Sequence, residues 1–351
     1  MESSWVTWPG RADELSALTV AVLYGGSGGE REVSLKSGRA VLDALGGDPR
    51  LGGVHPIEVA ADGRWNLDGV VLSAANAVQT LPDDTLLFLG LHGSPGEDGR
   101  MQAFLELCGH RYTGSGPMAS ATCMDKRRAR EAVAARAVRV APGHLVRQEA
   151  FQEDCEGELA AVQGLGDGPW FVKPNCGGSS VGVTCAADRE ALRSGLLRAL
   201  EVEPDALVEV AQPGIEVTCG VVGNRGEAPV LLPVVEILPK EGRFFDYAEK
   251  YDEDGAREVC PPENLSPEAA ARVQARALAA YRATGCEGYA RIDFIADGEA
   301  EPVFLEVNTL PGFTPRSILP QAAAATGVSF ADLCLELCAR ALTRFERSPL
   351  R

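Results

Sequence analysis

Short apolar runs alternate with amphipathic stretches along the chain. Thr19-Val20-Ala21-Val22-Leu23-Tyr24 ends in Gly25-Gly26-Ser27-Gly28-Gly29, the pattern of a buried strand cut by a glycine turn. Val33, Ser37, Ala40, Val41, Ala44 and Leu45 then recur at helical spacing up to Gly46-Gly47. Residues 85–91 form a second apolar strand, followed by the loop from His92 to Gly99 and a helix predicted over 100–108. The segment Tyr112-Thr113-Gly114-Ser115-Gly116 reads as a boundary, and a helix is predicted over 124–137. Residues 150–168 read as helix and loop, 170–174 and 206–210 as strands, and 216–223 as hairpin-like. An Ala-rich helix is predicted over 267–283, two strands over 289–296 and 302–308, and an amphipathic helix over 330–345. Strand, glycine turn and helix in succession open an α/β fold. Residues before Leu18 read as a loosely packed extension.

A chain of 351 residues carries two to three domains. It has no apolar run of about 18 residues, the length a spanning helix needs. The start Met1-Glu2-Ser3-Ser4-Trp5 lacks the basic and apolar regions of a signal peptide. Thirty-three basic against fifty acidic residues give a net charge of −17, which argues against nucleic acid and anionic membranes as partners. Any phosphate must then be met by a local positive pocket. The ten cysteines are scattered without a C-x-x-C pair, so most are expected to be reduced and buried.

The first glycine turn is no dinucleotide fingerprint, because the third glycine position holds Arg31, and no P-loop motif occurs. Glu30-Arg31-Glu32 at the helix start either complements the helix dipole or offers a carboxylate to an ammonium. Lys173-Pro174 followed by Gly177-Gly178-Ser179-Ser180-Val181-Gly182 fits a phosphate-binding turn, although Gly/Ser turns are common. The strongest pattern is later. Alternation puts Arg291 and Asp293 on one face of their strand, and Glu306 and Asn308 on one face of theirs. If these strands pair, Asp293, Glu306 and Asn308 converge as hard oxygen ligands suited to Mg2+.

Several segments, in order from about residue 19 to 345, resemble the D-alanine–D-alanine ligases of the ATP-grasp superfamily. They include Gly25-Gly26 with Glu30-Arg31-Glu32-Val33-Ser34-Leu35, Leu91-His92-Gly93 with Gly96-Glu97-Asp98-Gly99, and Met124-Asp125-Lys126. Lys173-Pro174 with Gly178-Ser179-Ser180-Val181-Gly182, Phe245-Asp246-Tyr247 with Lys250-Tyr251, Arg291-Ile292-Asp293, and Glu306-Val307-Asn308-Thr309-Leu310-Pro311-Gly312-Phe313-Thr314 complete the set. The resemblance implies a three-domain α/β ATP-grasp fold with a Rossmann-like N-terminal domain. Its units would be a substrate-binding domain over 1–115, a central lobe over 116–208, and a C-terminal lobe over 209–351 with the metal site and a lid.

By position, the resemblance implies two D-alanines joined through an acyl phosphate, with ATP and two Mg2+ ions (or Mn2+), for peptidoglycan precursor synthesis. Lys126, Lys173 and Lys250 would contact the nucleotide, Glu209 and Glu216 its adenine and ribose, and Phe244 its base. Asp293, Glu306 and Asn308 would hold the metals. Glu30 would bind the first ammonium, with His92 nearby, and Ser179 and Tyr251 would join Glu30 in a trio under a lid at 244–252. Arg291 and the Gly312 N–H would stabilise the oxyanion. Ser317 and the Ile318 N–H would take the second carboxylate. The Lys250-Tyr251 pair favours an amine acceptor over a hydroxyl, and Arg316 is a departure close to that acceptor. A homodimer in the cytoplasm is the implied setting. The rivals are a related ligase with D-serine, D-lactate or another second substrate, and a nucleotide-binding scaffold without turnover.

Overall fold

The computed structural model describes residues 15, 17–178, 182–238 and 257–347. Three sheets follow one another along the chain. The first comprises β1 (Thr19–Gly25), β2 (Gly53–Val59), β3 (Trp65–Leu67), β4 (Val70–Leu72), β5 (Leu86–Leu89) and β6 (Arg111–Tyr112). Their spatial order is β4-β3-β2-β1-β5-β6, parallel from β2 to β6 with an antiparallel β3–β4 edge. The β1 run is buried almost throughout, as expected for a strand covered on both faces. Helix Arg31–Leu45 lies directly on β1: a Cβ on Gly38 would come within 2.2 Å of the Tyr24 ring. The buried stripe of this helix is Ser34, Leu35, Ser37, Gly38, Val41 and Leu45, rotated from the predicted face toward small residues. Close approach selects those small residues, and the turns behind them use the hydroxyls. Ser34 Oγ accepts from Gly25 N (2.8 Å) and donates to Gly90 O (2.7 Å).

The second sheet is antiparallel, with β7 (Gly143–Arg147), β8 (Trp170–Pro174), β9 (Thr184–Ala186) and β10 (Asp205–Val210) in the order β7-β10-β8-β9. Leu159, Leu192 and Leu196 from two helices cover Val146, Val172 and Val208. The third sheet holds β11 (Ile215–Gly223), β12 (Val230–Leu231), β13 (Val235–Leu238), β14 (Arg257–Val259), β15 (Gly288–Ala296) and β16 (Val303–Asn308), ordered β14-β13-β11-β15-β16 with β12 against β11. One face buries Val217, Cys219, Ile292 and Phe294 with Val273, Ala277 and Tyr281 of helix Pro267–Thr284. The opposite face carries Thr218, Asp293 and Glu306, which lie side by side in the register.

Several expectations change. Residues 216–223 are not a hairpin but one long central strand, β11, bonded to β13 and β15. The helix predicted over 124–137 is two helices, Pro117–Met124 and Lys126–Ala134. Asp125 breaks them with an extended backbone and caps the second through Arg128 N (3.0 Å). Strands β2, β3, β4, β7 and β9 and helix Ala74–Thr80 had no strong sequence pattern, being short or half exposed. All ten cysteines are free thiols. No described helix is long and apolar enough to cross a membrane.

Candidate active site

One cleft collects residues from all three sheets: Glu30 and His92, then Lys126 and Gly178, then Arg291, Glu306, Asn308 and Gly312. Its best-ordered wall is the β15–β16 pair, where Asp293 lies opposite Glu306 and Arg291 opposite Asn308. A register shift follows directly after Asp293, so Phe294 faces Phe304 and Leu305 is the extra residue. Such a bulge ends the regular ladder and re-aims side chains beside a site. Asp293 is buried, accepts from the Thr218 hydroxyl (2.5 Å), and takes a two-pronged bond from Arg291, Nε to Oδ1 (2.9 Å) and Nη2 to Oδ2 (2.8 Å). Asn308 Oδ1 accepts from Leu310 N (3.1 Å), which turns its amide back toward the cleft loop. Lys126 Nζ stands 3.8 Å from Glu306 and donates to Gly177 O (2.5 Å).

Two carboxylates and an amide oxygen on one sheet face fit Mg2+, a hard cation that takes one or two carboxylates and keeps its other positions for phosphate and water. Among the described residues no group of three His, Cys, Asp or Glu side chains gathers as a metal cage. The amide of Asn308 is what completes this set, and the open positions suit a metal shared with a nucleotide.

The lysines are placed by buried latches. Asn175, at the end of β8, donates to Asp125 Oδ1 (2.9 Å), accepts from Arg127 N (3.0 Å), and its carbonyl accepts from Lys126 N (3.1 Å). It thereby joins the β8 end to the helix that begins at Lys126. Lys173 pairs with Glu209 Oε2, and Arg130 with Oε1. Glu209, expected at the adenine, is buried with its carboxylate between two cations. Three ionic groups out of water must pair with one another, so Glu209 here holds Lys173 in place. Glu216 is on the cleft face of β11, two residues before Thr218 and opposite Ile295.

On the first sheet's side, Glu30 precedes helix Arg31–Leu45 without capping it. A Cβ on Gly93 would stand 2.3 Å from Glu30 Oε2, and Gly93 has φ +64°, so glycine is required there on both counts. His92 lines the cleft, yet both ring nitrogens are used within the protein. Nδ1 donates to Leu310 O (2.8 Å), and Nε2 accepts from the Ser37 hydroxyl (2.8 Å). Burial, with Arg291 nearby, pushes its pKa down to about 4. His92 thus reaches the substrate region by shape, not by a polar atom. Glu97 is buried beside it, accepting from Gly93 N (3.1 Å) and Leu310 N (3.3 Å). Burial, then Glu30 and Glu306, push its pKa up to about 8.

Ser317 ends the loop after β16. Its Oγ accepts from Thr314 N (3.0 Å) and lies 3.3 Å from where a Cβ on Gly312 would be. Ile318 begins the next helix, Ile318–Ala324. Gln321 of that helix donates to Glu258 on β14 (2.7 Å) and to the carbonyl of Arg316. Ser179, Phe244, Lys250 and Tyr251 lie outside the described residues. Sequence reasoning assigned no role to Ser37, Glu97, Arg130, Asn175 or Thr218. Glu97 lies inside a quoted motif and Ser37 interrupts an apolar helix face, which were the available signals.

A family model described as D-ala D-ala ligase C-terminus matches residues 133–339. The D-alanine–D-alanine ligase of Halalkalibacterium halodurans is 39% identical over 320 residues, covering 90% of this chain and 96% of that protein. That of Bordetella petrii is 39% identical over 347 residues, covering 99% and 98%. Among solved structures, the VanG D-Ala:D-Ser ligase from Enterococcus faecalis superposes with a TM-score of 0.80 at 31% identity, covering 93% of this chain and 99% of that one. The D-alanine–D-alanine ligase from Bacillus anthracis complexed with ATP gives 0.76 at 27%, covering 95% and 100%.

Proposed function

The chain belongs to the D-alanine–D-alanine ligase family, and from that premise we propose how its cleft divides the work. The protein has the ATP-grasp fold and is an ATP-dependent ligase that joins two D-alanines for peptidoglycan synthesis. The division of labour rests on one observation: Asp293, Glu306, Asn308 and Arg291 share a sheet face across from Lys126 and Glu30.

In the first half-reaction a carboxylate oxygen of one D-alanine attacks the γ-phosphorus of ATP, and ADP leaves. Two anions must meet, so the pocket has to be locally cationic although the chain carries −17. Lys126, Lys173 and Lys250 are assigned to the phosphates, Glu216 to the ribose and Phe244 to the base. Asp293, Glu306 and Asn308 would hold two Mg2+ ions, which when bound supply charge neutralisation to the β- and γ-phosphates, with Mn2+ as a substitute. Glu30 takes the ammonium of the first D-alanine and so fixes which carboxylate oxygen faces the phosphate. Ser179 and Tyr251 are assigned to the same substrate by position.

In the second half-reaction the amine of the second D-alanine attacks the acyl carbonyl, and phosphate leaves. Negative charge develops on the carbonyl oxygen, and Arg291 and the Gly312 N–H are assigned to stabilise it. Ser317 Oγ and the Ile318 N–H hold the second carboxylate. Arg291 has a double role, because its bond to Asp293 also orients that carboxylate. The same reading extends to three units over 1–115, 116–208 and 209–351, and to a homodimer in the cytoplasm.

The test is to incubate the protein with ATP, Mg2+ and D-alanine, following ADP and identifying product by mass. D-serine, D-lactate and L-alanine are offered in turn as second substrate. D-alanyl-D-alanine formed in step with ADP supports the reading. A mixed product with D-serine would place the chain with D-Ala:D-Ser ligases such as the VanG neighbour. ATP binding without amino-acid-dependent ADP would leave a scaffold.

A further inference from the structure

The loop after β16 is tied to the first sheet's unit by side chains that neither half-reaction uses. Leu310 is held at both backbone groups: its carbonyl accepts from His92 Nδ1 (2.8 Å), and its N–H is shared between Glu97 Oε1 (3.3 Å) and Asn308 Oδ1 (3.1 Å). Three residues on, Phe313 N donates to Ser37 Oγ (3.1 Å), and the same hydroxyl donates to His92 Nε2 (2.8 Å). Glu97 Oε2 accepts from Gly93 N (3.1 Å), the residue whose missing side chain leaves room for the Glu30 carboxylate. Ser37, His92 and Glu97 are all buried. The bonds therefore fix residues 310 and 313, one on each side of Gly312, relative to Glu30.

We propose that Glu97 and Ser37 are positioning residues for the second half-reaction. They hold the 309–313 segment at a set distance from Glu30, so that the Gly312 N–H and the second amine meet the acyl carbonyl held from the other side. This rests on the functional reading above. The chemistry of the clamp supports it. A buried carboxyl group whose two oxygens each accept a backbone N–H, one from each of two loops, is a rigid strut, and neither loop has a strand ladder at that point to hold it. Phe313 packs on Phe88 and Tyr289, so the segment is anchored by rings on one side and by the strut on the other.

The experiment uses the full chain carrying Glu97→Gln or Ser37→Ala, with ADP and dipeptide measured in the same reaction. Glutamine offers one acceptor oxygen where two N–H groups point, so Glu97→Gln is expected to lower kcat on the order of 100-fold, the cost of a small misplacement of reacting groups. Ser37→Ala removes two hydrogen bonds at nearly constant volume and should lower kcat about tenfold. In both, KM for ATP stays near the wild-type value, KM for the second D-alanine rises, and less dipeptide than ADP forms, because a misaligned amine leaves the acyl phosphate to water. Folded variants with wild-type kcat and matched dipeptide and ADP would overturn the proposal. So would a lowered melting temperature with coupling intact, since a merely structural role predicts that. If Glu97→Gln does not fold, Ser37→Ala alone decides. Wild-type protein that makes no ADP with D-alanine would instead sink the functional reading itself.

Discussion

Two regions bring carboxylates to the cleft, and they are built on different logic. On β15–β16 the pleat does the placing: Asp293 and Glu306 are cross-strand partners, and Arg291 and Asn308 are the next such pair on the same face. In the loop after β5, no periodicity operates. Glu97 gets its place from two backbone N–H groups and from burial, without a cationic partner among the described residues. In the first region Asp293 is held by Arg291 and Thr218, while the partly exposed Glu306 faces Lys126. The second holds a carboxyl whose pKa is pushed up to about 8, which suits a structural acceptor and not a metal ligand. Glu209 is a third solution, a charged carboxylate neutralised on both sides by Arg130 and Lys173.

The comparison breaks most readily at Asp293. Asp293→Asn should lower turnover roughly 1,000-fold, the worth of several kcal/mol of charge stabilisation, in a protein that still folds but melts at a lower temperature because Arg291 loses its counter-charge. ADP formation at stepped Mg2+ concentrations checks it, and near-normal turnover would remove Asp293 from the metal face. Glu209→Gln leaves Arg130 and Lys173 buried without their counter-charge, and should cost about 3–5 kcal/mol in urea unfolding with a raised KM for ATP. An unchanged unfolding midpoint would contradict the buried trio. Asn175→Ala should cost about 1–3 kcal/mol, by leaving Arg127 N without its side-chain acceptor and removing the bond to Asp125. Its kinetic trace is a higher KM for ATP without loss of coupling.

The smallest effect concerns His92. Its folded pKa is about 4 against an ordinary 6.5, so the unfolded chain binds a proton there first as pH falls. Its contribution to stability is therefore complete above 6.5 and is lost as pH drops toward 4. His92→Gln should flatten the acid limb of a stability–pH curve over that window. An NMR titration showing the imidazole protonating near 6.5 in the folded protein would contradict its burial between Ser37 and Leu310.

What was legible in the sequence follows the same divide. Alternation alone placed Asp293 with Arg291 and Glu306 with Asn308, because a strand has only two faces and its neighbours were apolar. The β1 strand, the glycine turn and helix Pro267–Thr284 were legible for similar reasons. The partners of polar groups were not. Nothing in Glu209 distinguishes a carboxylate facing a nucleotide from one trapped between Arg130, 79 positions earlier, and Lys173, since such pairing depends on how β10 meets β8 and helix Lys126–Ala134. Ser37 read as one more position on an apolar face, and only tertiary packing reveals that its hydroxyl bonds His92 and Phe313. Long strand β11 was misread because its polar cleft-side residues, Glu216 and Thr218, resemble the polar interruptions of a turn.

The most direct test of the account is the Mg2+ dependence of D-alanyl-D-alanine synthesis in wild-type protein and in Glu306→Gln. The account predicts that chelation stops dipeptide and ADP formation together, that Mg2+ or Mn2+ restores both, and that Glu306→Gln needs far more metal to recover a small part of the rate. Dipeptide synthesis that proceeds without divalent cation, or a Glu306→Gln enzyme with wild-type metal demand, would contradict it.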